Sequence, residues 1–170
     1  MLLPLSLLFV GAVLVLNGIW MTGRIADREI VIVNLIVAGI TAGVAVFAAI
    51  GATDIAGVKP AALTLLFSTT YMWFAFNRLT GTDGTGLGWF SLFVTFTILP
   101  EAGFAIAGAD ITLDLWLGFS WMVWAVLWFM FFVLLTLKRP IQGIKAGVTL
   151  FSGVFTAWLP AMMMLYGILV

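Results

Sequence analysis

The chain has 170 residues, of which 64% are hydrophobic and 8% charged; Lys plus Arg and Asp plus Glu are seven each, and His and Cys are absent. A soluble domain carries about 25% charged residues, so this chain cannot clothe a water-facing surface and reads as an integral membrane protein. The missing His and Cys exclude a His/Cys zinc site, a haem held by His or Cys, a His-based triad and any disulfide. A formal charge of zero without a basic block gives no footprint for nucleic acid.

Six apolar runs follow one another. The first, Leu2–Thr22, is closed by Gly23, Arg24, Asp27, Arg28 and Glu29. It lacks a basic start and is longer than a usual signal core, so it reads as a span and not a cleaved signal. The second, Ile30–Ile50, is closed by Gly51, Asp54, Gly57 and Lys59, and Pro60 stands where a third helix would start. The third run is Ala61–Leu79, followed by the turn Thr80–Gly86. The fourth, Leu87–Ala107, is interrupted by Pro100 and Glu101. The fifth, Leu115–Leu137, ends at Lys138-Arg139-Pro140, and the sixth is Ala146–Val170. Each has about the 20 residues that cross a bilayer as a helix, and none alternates as a barrel strand would.

The expected fold is therefore all-α: six transmembrane helices in a single domain over residues 1–170. The first, third and fifth connections carry Arg24, Arg28, Arg78, Lys138, Arg139 and Lys145, while the second and fourth carry Lys59 alone. This bias predicts that the odd loops face the cytoplasm and that both termini lie outside it.

Three even-numbered spans share a polar residue followed by Leu and then Ile or Phe: Asn34-Leu35-Ile36, Ser91-Leu92-Phe93 and Thr149-Leu150-Phe151, separated by 57 and 58 residues. Asn17 and Asn77 lie 60 apart. The spacing predicts three two-helix hairpins of one orientation around an axis along the membrane normal.

Trp121, Trp124 and Trp128 fall at i, i+3 and i+7 in the fifth span, within roughly 60° of one another on a helix; Leu117 shares that arc. Phe67, Tyr71 and Phe74 repeat the pattern in the third span, and Leu3, Leu7, Val10, Leu14 and Asn17 make a narrow stripe on the first. Such rings serve equally as helix packing or as a headgroup belt, and Trp20, Trp89, Trp116 and Trp158 fit those roles. Three Trp stacked through mid-helix fit better the wall of a narrow pore that accepts a small, flat, neutral solute. Asn17, Asn34, Ser68, Thr69, Thr70, Asn77, Ser91, Thr95, Thr97, Ser120, Thr149, Ser152 and Thr156 can link helices or serve a solute. Glu101, the one acid deep inside a run, reads as a vestibule group or as an acid reaching water. Gly39 and Gly43 form a G-x-x-x-G that, with Gly11, Gly18, Gly118, Gly147 and Gly153, reads as close helix packing.

At these residues the chain resembles the AmiS/UreI family of amide and urea channels over essentially its full length. The resemblance is carried by Leu7-Leu8-Phe9-Val10-Gly11 with Asn17-Gly18, by Leu65-Leu66-Phe67 with Thr70-Tyr71 and Asn77, and by Gly88-Trp89-Phe90-Ser91-Leu92-Phe93-Val94. It continues in Trp124-Ala125-Val126-Leu127-Trp128 and Thr156-Ala157-Trp158-Leu159-Pro160. It implies a six-helix protomer with its own pore, a ring of six protomers around lipid, and two constrictions of Leu and aromatic side chains. Carried over by motif, Leu3, Leu7 and Leu14, then Phe67 and Tyr71, then Trp121, Trp124, Leu127 and Trp128 would line that pore. Asn17, Asn77, Glu101 and Ser152 are added as polar candidates along it. Acid-gated members have His-bearing loops and a Glu where this chain has Ser152, and some have Trp at Leu117. The short loops and all-neutral pore make the chain look more like the amidase-linked AmiS branch than the acid-gated urea channel.

The expected function is thus a passive channel for urea or short-chain amides in a bacterial inner membrane, not acid-gated, with flux nearly flat between about pH 5 and 8. A cytoplasmic amidase or urease would consume the solute. No catalytic residue, metal or cofactor is implied, and no nucleophile–base pair marks an enzyme. The alternatives are a non-transporting scaffold subunit of an amidase or urease system, and a small ion-coupled carrier.

Overall fold

The computed structural model describes residues 2–110 and 112–169. Its helices are α1 (Leu3–Met21), α2 (Asp27–Ile50), α3 (Ile55–Thr80), α4 (Thr85–Ala107), α5 (Thr112–Leu135) and α6 (Gln142–Leu165). No strand occurs among the described residues. Five of these helices are long and apolar enough to cross a membrane. α3 is long enough at 26 residues but more polar, because Thr64, Ser68, Thr69, Thr70 and Asn77 all lie on it. Ile32, Phe47, Ile50, Phe93, Phe96 and Phe104 are exposed around the bundle. In water so many exposed large apolar side chains would aggregate; in a bilayer they are solvated. The protein is a multi-pass membrane protein.

Local chemistry sets the helix ends, and it moves two of the expected boundaries. The start of α3 is Ile55, not Pro60: the Asp54 carboxylate accepts from the Gly57 N–H at 2.9 Å and caps the helix earlier. Pro60 then stands inside the helix and removes one backbone donor there. The end of α3 is a residue in the left-handed region, Gly81 at φ 71°, whose N–H bonds the Asn77 carbonyl at 3.0 Å. The sixth helix begins at Gln142, immediately after the break at Pro140 and Ile141. Lys145, read from the sequence as a loop charge, is therefore a helical residue, and it is buried to 1% exposure. A charged residue at the edge of an apolar run looks like a boundary, but backbone geometry lets the helix start as soon as the proline is passed.

Three close helix pairs build the bundle: α2 with α3, α4 with α5, and α1 with α6. The first two are hairpins closed by short connections; the third joins the two ends of the chain. Contacts between α1 and α2, between α3 and α4, and between α5 and α6 are far fewer than within these pairs, which leaves an interior seam. Small residues draw α1 and α6 together. A Cβ on Gly11 would stand 2.7 Å from the Trp158 backbone nitrogen, and one on Gly153 would stand 2.8 Å from that of Val15. By contrast, Gly39, Gly43 and Gly147 have nothing within 4 Å of such a Cβ. The G-x-x-x-G of α2 thus closes no contact within the protomer, because α2 turns that face away from its neighbours.

Between Ser152 and Trp158 α6 widens into a π-helical stretch. Two hydroxyls bond back within it or just before it: Ser152 to the Val148 carbonyl at 2.8 Å and Thr156 to the Ser152 carbonyl at 2.6 Å. Such hydroxyl back-bonding competes with the regular ladder, and π-turns concentrate where function needs a displaced side chain.

Candidate functional site: an aromatic path through the protomer

The seam between the helix pairs holds two adjoining cavities. "Upper" here means the side on which α1 begins and α6 ends. The upper cavity is lined by Leu3, Ser6, Leu7 and Val10 of α1, Thr41 of α2, Thr64 and Phe67 of α3, and Trp121 and Trp124 of α5. The lower one is lined by Leu14 and Asn17 of α1, Asn34 of α2, Phe67, Thr70, Tyr71 and Phe74 of α3, Trp124, Leu127, Trp128 and Phe131 of α5, and Thr149 of α6. Phe67 and Trp124 border both, so the boundary between the cavities is the contact of these two rings. Open volumes are about 60 Å³ above and 20 Å³ below, when a single water needs about 10–15 Å³ on this measure. The seam is therefore a tight slot rather than a wet channel.

Periodicity puts the rings there. Trp121, Trp124 and Trp128 occupy one arc of α5, and Phe131 continues it at i+7 from Trp124. Phe67 is their hub. Its ring lies 6.1 Å from Trp121, 4.9 Å from Trp124 and 4.7 Å from Trp128, all tilted or edge-to-face, with Tyr71 at 6.4 Å. Edge-to-face pairs add about 0.5–1.5 kcal/mol each beyond area burial and hold the faces at fixed angles.

Polar anchors fix the indoles. Trp124 Nε1 donates to Thr156 Oγ1 at 2.8 Å, the threonine of the π-turn. Trp128 Nε1 donates to Thr70 Oγ1 at 3.0 Å. Each hydroxyl in turn donates to a backbone carbonyl, Thr156 to Ser152 and Thr70 to Leu66 at 2.7 Å. Below, Asn17 and Asn34 exchange amide hydrogen bonds of 3.1 and 2.8 Å, and Asn34 also donates to the Ile30 carbonyl at 2.8 Å. Most polar groups of the wall are thus already spent on protein partners. The Tyr71 hydroxyl has none among the described residues and remains open to whatever enters the lower cavity. Ser6 Oγ is buried without a partner beside the upper one. No charged residue stands among the lining residues of either cavity.

Of the residues singled out from the sequence, Leu3, Leu7, Leu14, Asn17, Phe67, Tyr71, Trp121, Trp124, Leu127 and Trp128 lie along these two cavities. Three do not. Asn77 is buried below, where its Oδ1 accepts from Thr82 at 2.8 Å. Ser152 is buried with its hydroxyl turned to its own helix. Glu101 has a partner that the sequence did not reveal: Lys59 of α3 contacts it at 2.7 Å across the α3–α4 boundary, with the carboxylate side chain 20% exposed. Lys59 precedes Glu101 by 42 positions, so no local pattern could pair them. The lining also includes Asn34, Thr70 and Thr149, which belong to the polar set of the sequence but to none of its stripes, and Phe131. Phe131 was within reach of the α5 spacing; Thr149 depends on how α6 is rotated, which the α1 contact decides. No group of three Asp or Glu suited to a metal is found among the described residues.

A family model described as AmiS/UreI family transporter matches residues 2–168. The chain belongs to the AmiS/UreI family. It is 39% identical to a "putative amidate substrates transporter protein" of Mycolicibacterium smegmatis, over 95% of this chain and 76% of that one. It is 31% identical to the "acid-activated urea channel" of Helicobacter pylori strain ATCC 700392 / 26695, over 94% and 95% of the two chains. The cryo-EM structure of the Helicobacter pylori urea channel in a closed state superposes with a TM-score of 0.87 at 29% identity and covers the whole of both chains. Family members are transporters or channels and not enzymes. The all-helical architecture of this AmiS/UreI member is that of the urea channel.

Proposed function

We propose that this AmiS/UreI protein is a passive channel for urea or short-chain amides. The observation that carries the reading is the ring-walled seam inside one protomer: two uncharged cavities that meet at Phe67 and Trp124. An ion entering such a slot loses its water without a fixed countercharge in the wall, which costs several kcal/mol or more. A flat neutral solute keeps face contact with the rings, and its N–H and C=O groups meet the Tyr71 hydroxyl and Ser6 on the way. Closed in this structure, the Phe67–Trp124 contact would open by small ring rotations as solute passes. Nothing in the slot suggests a coupling ion, so flow follows the gradient.

The relatives' described solutes, amidates and urea, support the substrate class. The cationic residues in or flanking the odd connections, Arg24, Arg28, Arg78, Lys138, Arg139 and Lys145, against Lys59 alone at the even ones, support an orientation with both termini outside the cytoplasm. We assign the chain to a bacterial inner membrane and, from the family resemblance, to a ring of six protomers feeding a cytoplasmic amidase or urease.

The test is stopped-flow uptake of urea and acetamide by proteoliposomes holding the purified protein alone. Uptake well above protein-free vesicles, unchanged by proton or sodium gradients and strongly altered in Trp124→Ala and Trp128→Ala, is expected. Absence of uptake would leave a scaffold role, and gradient dependence would make it a carrier.

A further inference from the structure

Just below the lower cavity lies a buried lysine that the channel reading does not use. Lys145 is buried to 1% exposure, among the most enclosed large side chains in the protein. It stands one helical turn from Thr149, whose side chain lines the cavity, so both project from the same face of α6. Its Nζ sits over the ring of Phe131, 2.8 Å from the centroid, and Phe131 also lines the cavity. Among the described residues the ion pairs are Lys59–Glu101, Arg78–Asp27 and Lys138–Asp83; none involves Lys145, and no hydrogen bond holds its Nζ. The aromatic face supplies electrostatic attraction but takes up none of the donor directions fully. Buried charged or polar groups without partners are costly, and proteins keep few of them.

The geometry points to Lys145, seated on Phe131, as a solute subsite at the lower end of the path, where its N–H groups donate to the carbonyl oxygen of a urea or amide molecule. The inference rests on the channel reading and extends it to a specificity-determining residue. A carbonyl oxygen is the one strong acceptor shared by urea and all short amides. An N–H donor at the end of a slot whose other polar groups are mostly paired within the protein would favour them over equally small solutes that lack it. Tyr71, with its open hydroxyl in the same cavity, offers the preceding donor, so the oxygen is passed from one donor to the next.

The experiment compares acetamide with thioacetamide, which have the same connectivity but differ in acceptor strength, sulfur accepting hydrogen bonds weakly. Uptake by proteoliposomes is measured for the wild type, Lys145→Met and Lys145→Arg, each checked by size exclusion for intact assembly. The acetamide-to-thioacetamide ratio is expected to fall by about fivefold in Lys145→Met, the worth of one hydrogen bond, and to stay within about twofold in Lys145→Arg, which keeps the donors. Phe131→Leu removes the ring on which the Lys145 Nζ is seated and is expected to lower the ratio in the same direction, so the inference stays testable if Lys145→Met does not assemble. A merely structural lysine would change both fluxes together. An assembled Lys145→Met or Phe131→Leu protein with an unaltered ratio overturns the subsite. A wild type that passes neither solute overturns the channel reading, and the subsite with it.

Discussion

The ring of Phe67 meets that of Trp124 edge-on, with centroids 4.9 Å apart and planes at 83°, and this contact separates the two cavities of the protomer. One partner comes from the α2–α3 pair and the other from the α4–α5 pair, so relative movement of the pairs would be felt first at this joint. The orientation of Trp124 is held from the third pair, through Thr156 of α6. All three helix pairs therefore bear on a single ring contact.

Removing the anchor should loosen the joint without removing a ring. In Thr156→Val the indole N–H of Trp124 loses its acceptor, and the same follows for Trp128 in Thr70→Val. Each change should cost about 1–3 kcal/mol, the penalty for a buried unpaired donor, read as a lower unfolding temperature in detergent. Solute flux should change in the same variants, since the ring angle is no longer set. A Thr156→Ser variant keeps the oxygen and should stay close to wild type in both measurements.

The amide pair Asn17–Asn34 ties α1 to α2 by two hydrogen bonds. Either Asn→Leu change alone strands the partner amide and is expected to destabilise by about 1–3 kcal/mol. The double variant should cost clearly less than the sum, because no stranded amide remains. A double-mutant cycle on thermal unfolding reads this coupling; strict additivity would mean that the two amides do not act together.

Glycines of similar sequence appearance should part company. Gly11→Ala drives a methyl group into the backbone of Trp158 and is expected to cost about 1–3 kcal/mol as overpacking. Gly39→Ala meets nothing within 4 Å in the protomer and should leave protomer stability unchanged. Thermal unfolding of the two single variants under conditions that dissociate any oligomer checks the contrast.

Acid should not gate this channel. The Asp83 carboxyl, in the α3–α4 turn, is held well below the usual carboxylate range, first by the Thr85 hydroxyl and backbone N–H and then by Lys138. A group whose folded pKa is depressed stabilises above its unfolded pKa and loses that contribution as pH falls through the folded value. The turn therefore stays intact from about pH 8 down past pH 5, and no His titrates in between. Flux is expected to vary by less than about twofold across that window. Glu101→Gln, which breaks a partly exposed ion pair with Lys59, should change stability by less than about 1 kcal/mol and leave flux within about twofold. Stopped-flow uptake across a pH series, for the wild type and this variant, checks both expectations.

Residue type and spacing alone determined that the chain is an all-helical, multi-pass membrane protein, since a helix through hydrocarbon needs a long apolar run and this chain has several in succession. They also determined which faces of α1, α3 and α5 look inward, because a period of 3.6 puts Leu7 with Leu14, Phe67 with Tyr71, and Trp124 with Trp128 whatever the neighbours are. Tertiary structure decided what those faces meet. That Thr156 receives Trp124 across 32 positions, that Lys59 reaches Glu101, and that Lys145 leaves the loop for the face of Phe131 depend on how whole helices are rotated and paired. Those rotations follow from close contacts such as Gly11 on Trp158, which are sums over many distant atoms and leave no periodic mark along the chain.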